Sequence, residues 1–157
     1  MDNKRKIIFL YVGHSNFGKS STLKYFTKNN SKVKTADLFG RTFKVRKMSN
    51  NDNVPSYILY VKDLEKSSHP YFISAFSPDE KKNAGYFLSK IKQVADLHIF
   101  VQLHGYKGGK LSTDDIKLLR LYDENLVILE EKLEAKDRAD KFLAFIKKNL
   151  DNFKNYN

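Results

Sequence analysis

The chain has 157 residues, a length that fits one domain with a sizeable core, and 41% of them are hydrophobic, which excludes general disorder. The 29 lysine and arginine residues outnumber 18 acidic ones, and the net charge of +11 is compatible with a polyanionic partner. Because the lysines form no basic block, ordinary solvated surface charge is the favoured interpretation. The absence of cysteine excludes disulfides and thiolate metal sites, and the longest apolar run, 7–12, is too short for a membrane span or a signal-peptide core, so we expect a cytoplasmic protein.

The first predicted element is a strand at 7–12, a continuous apolar and partly β-branched run of the kind that is buried on both faces of a sheet. A short helix is predicted at 19–28. Further along, the polar cluster 49–53 separates the stretches 43–48 and 57–62, which we interpret as the two strands of a β-hairpin.

The remainder of the chain alternates between strands and helices. These elements are a strand at 71–76, a helix that is capped by Ser77, begins at Pro78 and ends near Val94, a strand at 97–103, a helix opened by the capping pair Ser112 and Asp115, a strand at 126–129, and a C-terminal helix with an apolar face from Ala135 to Leu150. The alternation predicts the α/β class, as a three-layer α/β/α sandwich with a mostly parallel sheet and one β-hairpin. We expect one domain over residues 1–150 and a polar, frayed tail over 151–157.

A phosphate-binding motif follows the first strand directly. Residues 13–20 read Gly-His-Ser-Asn-Phe-Gly-Lys-Ser, which is the P-loop pattern of two glycines separated by four residues and followed by lysine and serine. The glycines permit backbone angles and close approaches that a side chain blocks. Consecutive backbone N–H groups then form a nest for an anion, and the start of the following helix adds positive potential. The motif therefore predicts a loop that binds phosphate groups.

Residues 7–28 resemble the first strand, P-loop and first helix of the P-loop NTPase superfamily, and the resemblance is specific over 13–20. It implies phosphate binding, mostly through the backbone, by Gly13, Asn16, Phe17, Gly18, Lys19, Ser20 and Ser21. Lys19 is expected to reach the β- and γ-phosphates and to act in catalysis, and the Ser20 hydroxyl is expected to ligate Mg²⁺. The compact layout also resembles small bacterial and phage ATP-binding proteins.

A P-loop also needs an acidic residue, at the end of a neighbouring strand, that holds the metal shell or activates water. Asp79 lies just beyond the strand 71–76 and is the favoured catalytic and metal-handling acid. Asp63, at the end of the predicted strand 57–62, is the alternative. Asp96 precedes its strand, at the edge that open α/β sheets do not use for ligands, and is expected to be a surface residue.

The loop resembles that of translation-factor-type GTPases, in which Thr35 or Thr42 would act as a switch threonine. The rest of the chain departs from that pattern. No Asp-x-x-Gly follows the second predicted hairpin strand, and no Asn-Lys-x-Asp guanine motif follows the strand 97–103, where Gln-Leu-His-Gly stands at 102–105 instead. ATP is therefore a better prediction than GTP.

Several basic residues could complete a site. The loop 106–110 could close over phosphates, as the lid of a small-molecule kinase does, or be an ordinary surface loop. Arg41 and Arg46 could supply positive charge, but we expect them at the surface. His98 and His104 point to the same side of one strand and lack further metal ligands, so a structural role is favoured.

The sequence therefore predicts Mg²⁺-dependent binding and hydrolysis of a nucleoside triphosphate, ATP rather than GTP. Two alternatives stay open. The first is a kinase that passes the γ-phosphate to a nucleotide or another small acceptor. The second is a non-catalytic regulatory protein that keeps the nucleotide as a structural ligand and docks on nucleic acid or on a protein through its basic surface. No membrane partner is expected, and no oligomeric state is predicted.

Overall fold

The computed structural model describes residues 5–14, 17–30, 33–47, 54–78, 81–105 and 108–154. The elements, in chain order, are β1 (Lys6–Val12), α1 (Lys19–Leu23), β2 (Lys28–Asn30), β3 (Val33–Leu38), β4 (Arg41–Lys47), α2 (Val54–Lys66), β5 (Tyr71–Phe76), α3 (Lys81–Val94), β6 (Ala95–Gln102), α4 (Thr113–Arg120), β7 (Val127–Leu129) and α5 (Ala135–Lys154). The strands form one seven-stranded sheet in the order β2-β3-β4-β5-β1-β6-β7.

β1 lies inside the sheet between β5 and β6 and is parallel to both. β4 and β7 continue the parallel set on either side, whereas β3 and β2 add an antiparallel edge. The predicted α/β class with a mostly parallel sheet is therefore confirmed. The strand 71–76 and the end of the next helix at Val94 also match the prediction.

The hairpin differs from the predicted one. Residues 57–62 lie in α2, so the predicted second strand of the hairpin is wrong. In α2, Tyr60, Val61 and Leu64 are buried while Leu59 is exposed, and burial at spacings of one and four residues belongs to a helix. The aromatic and β-branched residues of this stretch favour a strand locally, but packing of the helix face against the sheet overrides that preference.

β4 pairs instead with β3, which the sequence did not predict as a strand. The two strands are joined at Phe39 and Gly40, whose φ angles of 53° and 77° are both positive. Two successive positive φ values are typical of the tight turns that match the twist of a hairpin. Glycine adopts such an angle without strain, so Gly40 lets the chain reverse at this position.

Both terminal helices differ in length from the prediction. α1 ends at Leu23 after five residues, and the chain continues in turns through Phe26 before β2 begins. Phe26 packs against Phe142 of α5, so a tertiary contact draws the chain out of the predicted helix 19–28. At the other end of the chain, α5 continues to Lys154, within the predicted tail.

The core lies on both faces of the sheet, and the side chains of β1 alternate between the two. Ile8, Leu10 and Val12 pack with α2, α3 and α4 in one cluster. Phe9 and Tyr11 pack with α1 and α5 in the other. Since every one of these five side chains is fully buried, β1 is shielded from water on both faces, as its unbroken apolar sequence predicts.

The helices that follow β1 and β6 lie on opposite faces of the sheet, although these two strands are neighbours. This arrangement makes a topological switch point at the carboxyl ends of the two strands. Open α/β sheets bind their ligands at such switch points. The fold therefore places the loop that begins at Gly13 at the position where a ligand is expected.

Two leucines of α2 test the correction of the predicted strand. Leu64→Ala should lower the free energy of unfolding by about 2–5 kcal/mol, because Leu64 is fully buried against the sheet and its truncation leaves a cavity. Leu59→Ala is the matched control on the same helix, with a side chain that is 65% exposed, and should change it by less than about 0.5 kcal/mol. Urea unfolding followed by circular dichroism measures both, and equal losses would contradict this placement of α2.

His98 packs as part of the sheet. Its ring stacks on Phe9, with centroids 5.1 Å apart. Burial lowers the pKa of His98, and the nearby carboxylates of Asp123 and Asp96 oppose this shift less strongly. His104 does not join it in a metal site: within the described ranges no group of three or more His, Cys, Asp or Glu side chains could hold a metal ion.

The lowered pKa of His98 predicts a pH dependence of stability. Between the folded-state pKa and the unfolded value near 6.5, the unfolded chain binds more protons, so the stabilisation is fully present above pH 6.5 and is lost as the pH falls. His98→Phe keeps a stacking ring but removes the titration. Urea unfolding between pH 5 and pH 7.5 should give a flatter stability profile for this variant, and identical profiles would contradict the assignment.

Candidate phosphate-binding loop

The loop begins where β1 ends and is tied at once to the neighbouring strand. The Gly13 N–H donates to the carbonyl of Phe76, the last residue of β5, over 3.1 Å. Gly18 closes the loop and precedes α1 with a φ of 80°. A β-carbon at Gly18 would lie 2.9 Å from the guanidinium of Arg138. Glycine is therefore required at position 18 both for its backbone angle and for the close approach of that side chain.

Lys19 folds back over the beginning of the loop. Its Nζ donates to the carbonyl of Gly13 over 2.9 Å and to that of His14 over 2.7 Å, and only 8% of the residue is exposed. An ammonium group has three donors in flexible arrangement. Two of these donors are thus bound to the first two carbonyls of the loop, which keeps the positive charge beside the loop's beginning.

Phe17 anchors the middle of the loop in a slot made of glycines. Its ring is buried, and added β-carbons would lie 2.5 Å from it at Gly105, 2.9 Å at Gly109 and 3.0 Å at Gly13. The ring also meets that of His14 edge-on, with centroids 5.4 Å apart. No larger residue fits at Gly105 while Phe17 keeps this position. The packing therefore joins the predicted phosphate loop to the segment between β6 and α4.

That segment contains the predicted lid, residues 106–110. Of these, the structure describes only 108–110. The Gly105 N–H donates to the Gly109 carbonyl over 2.8 Å, and the Leu111 N–H donates to the Leu103 carbonyl over 2.9 Å. Both ends of the segment are thus held together on top of Phe17, while Lys110 is exposed. The described part is an anchored turn, and movement as a lid stays a prediction.

Gln102 and Tyr11 form a buried polar pair behind the loop. The Gln102 Nε2 donates to the Phe17 carbonyl over 3.1 Å, and its Oε1 accepts from the Tyr11 hydroxyl over 2.7 Å. Burial raises the pKa of Tyr11 to about 12, against smaller opposing effects of Thr22 and Arg138. Tyr11 therefore keeps its proton as a hydrogen-bond donor. From the sequence, Gln102 was evident only as a residue that stands where the guanine motif is expected.

Arg138 of α5 reaches the same region from the other side of α1. Its guanidinium donates to the Thr22 Oγ1 over 2.9 Å and to the Gly18 carbonyl over 3.2 Å, and the Thr22 hydroxyl donates to that carbonyl over 3.0 Å. Arg138 was not among the site residues predicted from the sequence. A usable signal exists, because Arg138 lies directly beside Ala139 and four residues before Phe142, on the apolar face where a charge is unexpected.

The carboxylate of Asp115, a residue that was predicted only as part of a helix cap, also lies beside the loop. The Ser112 hydroxyl accepts from the Asp115 N–H over 3.1 Å, so the predicted cap of α4 is confirmed. The buried Asp115 Oδ2 in turn lies 3.6 Å from the Nε2 of His14. His14 thus faces α4, and α4 contributes an acid to the surroundings of the loop.

The predicted metal-handling acids have different outcomes. Asp79 lies outside the described residues, although β5 does end beside Gly13 as the prediction requires. Asp63 lies on α2, not at the end of a strand, and accepts from Lys44 over 3.0 Å and from Arg46 over 3.0 Å. The strand end that suggested Asp63 does not exist, so we do not retain it as a metal ligand.

The remaining candidates lie away from the loop. Asp96 pairs with Arg5 over 2.9 Å at the amino end of β6, where both side chains are about half exposed. Arg41 donates to the Tyr71 hydroxyl over 2.9 Å. Thr42 donates to Asp37 over 3.0 Å near the turn between β3 and β4, at the edge of the sheet opposite to the loop. A switch role for Thr42 is therefore wrong.

Asn16, one of the predicted phosphate-binding residues, and Ser15 lie outside the described residues. Ser20 and Ser21 lie in α1, where Ser20 is half-buried and Ser21 is exposed. Thr35 lies inside β3, where it pairs with Lys44 of β4. The described residues thus bring together Gly13, Phe17, Gly18 and Lys19, and they add supporting side chains from β6, α4 and α5.

No family model matches this sequence, and no curated protein is significantly similar to it. Among the helices that the structure describes, none is long and apolar enough to cross a membrane.

The glycine slot leads to a test of the loop's anchoring. Gly105→Ala should lower the free energy of unfolding by about 1–3 kcal/mol, because the new methyl group would lie 2.5 Å from the Phe17 ring. Gly85→Ala is the control: its β-carbon meets nothing closer than 3.8 Å within α3, and it should be neutral or stabilising by up to about 1 kcal/mol. Urea unfolding measures both changes.

A double substitution separates this clash from a backbone effect. Phe17→Leu shortens the side chain that occupies the slot, so it should recover part of the stability that Gly105→Ala removes. Strictly additive losses would show that Phe17 does not lie against Gly105.

Proposed function

We propose that the loop 13–20 binds the phosphates of a nucleoside triphosphate, and that the protein hydrolyses this nucleotide with Mg²⁺. The observation that carries the proposal is the position of Lys19. Its buried ammonium is held on the carbonyls of Gly13 and His14, within a loop that follows the central parallel strand. A basic group fixed across a glycine-closed loop is suited to phosphate oxygens and to few neutral ligands.

The proposed architecture is a P-loop-like three-layer sandwich. Helices on both faces of the sheet and a loop at the carboxyl ends of β1 and β6 support it. α1 has only five residues, so its dipole adds little at the loop. The loop amides and Lys19 are therefore the groups that would stabilise negative charge developing on the β–γ bridge and the γ-phosphate.

The residues present suit Mg²⁺. Ser20 follows Lys19 directly at the start of α1 and is half-buried, and a hydroxyl oxygen is a hard ligand of the kind that Mg²⁺ takes, which supports this part of the proposal. In this proposal Ser20 and Asp79 hold the ion, which would neutralise charge on the phosphate oxygens. ATP remains the proposed nucleotide over GTP, because the guanine motifs are lacking in the sequence. A cytoplasmic location would supply both ATP and Mg²⁺.

Calorimetric titration with ATP, GTP and ADP in the presence of Mg²⁺ tests the proposal. Lys19→Met keeps the aliphatic stem and removes the charge, so it should weaken ATP binding by about tenfold or more. Lys24→Met is the matched control, because Lys24 follows α1 and is exposed. Circular dichroism should show that both variants stay folded. If no nucleotide binds the intact protein, or if the two variants bind alike, the proposal fails.

Turnover measurements separate hydrolysis from the two alternatives. Phosphate release from ATP without an acceptor supports hydrolysis, whereas release of ADP only in the presence of a nucleotide or another small acceptor supports a kinase. Tight binding without either reaction supports the regulatory protein, and salt-sensitive binding to DNA or RNA would identify nucleic acid as its partner.

A further inference from the structure

We propose that Arg138 is a positioning residue for the phosphate loop. Together with Gln102 it holds the carbonyls of Phe17 and Gly18 behind the loop, which turns the N–H groups of Gly18 and Lys19 towards the phosphate side. The inference rests on the proposed function where it names phosphate as the ligand. The orientation of the backbone can be tested without any ligand.

The planar peptide bond relates the direction of each carbonyl to that of the following N–H. In a trans peptide, the carbonyl of one residue and the N–H of the next point in opposite directions. The Phe17 carbonyl faces Gln102, so the Gly18 N–H points away from Gln102. The Gly18 carbonyl faces Arg138, so the Lys19 N–H points away from Arg138. Gly18 joins these two peptide units in the left-handed helical conformation, with φ of 80° and ψ of 29°, in which successive N–H groups turn to the same side, as in an anion nest.

The planar shape of the Arg138 guanidinium lets one side chain contact several segments. Arg138 is 6% exposed and donates to three different segments: to Leu133 before α5 over 2.7 Å, to Thr22 in α1 over 2.9 Å, and to Gly18 over 3.2 Å. All three acceptors are neutral oxygens. A planar fork with fixed donors spans them at once, whereas the point charge of a lysine cannot. The side chain therefore ties the loop, α1 and α5 together through its geometry.

The charge of the Arg138 guanidinium has an effect of its own. A buried cation next to neutral acceptors also creates a positive potential, which would favour an anion in the loop without orienting anything. The two effects separate in Arg138→Lys, because this variant keeps the charge and loses the fork. Arg138→Gln loses both. If positioning is the main effect, the two variants should behave alike.

The binding experiment uses the full chain and Mg-ATP as the probe. We expect Arg138→Gln to weaken binding by about tenfold or more, because two hydrogen bonds from a charged donor to the loop and α1 are lost. Arg138→Lys should weaken it to a similar extent. Arg120→Gln is the matched control, because Arg120 is exposed at the end of α4 and should leave binding unchanged.

Hydrogen exchange without ligand gives the second readout. In Arg138→Gln, peptides that cover residues 13–23 should exchange faster, while those that cover β5 stay as in the unmodified protein and report any global loss of stability. If Arg138→Gln does not fold, Thr22→Val removes the hydroxyl that links Arg138 to Gly18 with little change of shape, and Thr22→Ser is its control.

The outcomes are distinct. Binding by Arg138→Gln or by Arg138→Lys equal to that of the unmodified protein would overturn the positioning role, as would unchanged exchange of the loop. If the unmodified protein binds no nucleotide, the proposed function fails, and exchange alone then decides: faster exchange confined to 13–23 supports the positioning role, and unchanged or global exchange overturns it.

Discussion

The parallel pairing of β1 with β5 on one side and β6 on the other is the constraint on which the site depends. It buries both faces of β1, so the strand can only be apolar, and it brings three carboxyl ends to one edge of the sheet. The pairing of β1 with β5 continues one residue beyond β1, where the Gly13 N–H donates to the Phe76 carbonyl. The loop therefore starts from a fixed point, and its later residues must be held by other contacts.

Those contacts place polar side chains in a layer that is otherwise aromatic. Tyr11, Thr22, Gln102 and Arg138 are all buried on the face where Phe100, Phe142 and Phe145 pack. Burying such groups is unfavourable unless each finds a partner. Here their partners are one another, the carbonyls of Phe17 and Gly18 in the loop, and the carbonyls of His104 and Leu133 outside it. A change in the backbone of the loop would leave buried donors unsatisfied, so the network opposes alternative loop conformations.

Features that depend on neighbouring residues could be predicted from the sequence, whereas contacts between segments far apart in the chain could not. The apolar run of β1, the strand 71–76 and the glycines of the loop are visible because each depends on neighbours in the chain. Residues 57–62 were predicted as a strand because Tyr, Ile and Val favour strands, whereas the burial pattern of the whole of α2 belongs to a helix. The prediction of Asp63 as a metal ligand depended on that strand and is therefore wrong as well. The loop's supports are Gln102, which is 85 residues from Phe17, and Arg138, which is 120 residues from Gly18. The local pattern places Arg138 on an apolar helix face, but it does not show which distant segment the side chain contacts.

The short first helix explains why such distant support is needed. After a phosphate loop, a long helix can hold the last turn of the loop rigid through its own hydrogen bonds, but a helix of five residues is too short to be stable by itself. The Gly18 carbonyl accepts the first backbone bond of α1 from the Thr22 N–H over 3.1 Å and a second bond from the Thr22 hydroxyl. Arg138 adds a third bond and ties both residues to α5, which has 20 residues. In the proposed positioning role, α5 therefore adds to the rigidity of the loop, and the close approach of Arg138 to Gly18 is the contact that links the two.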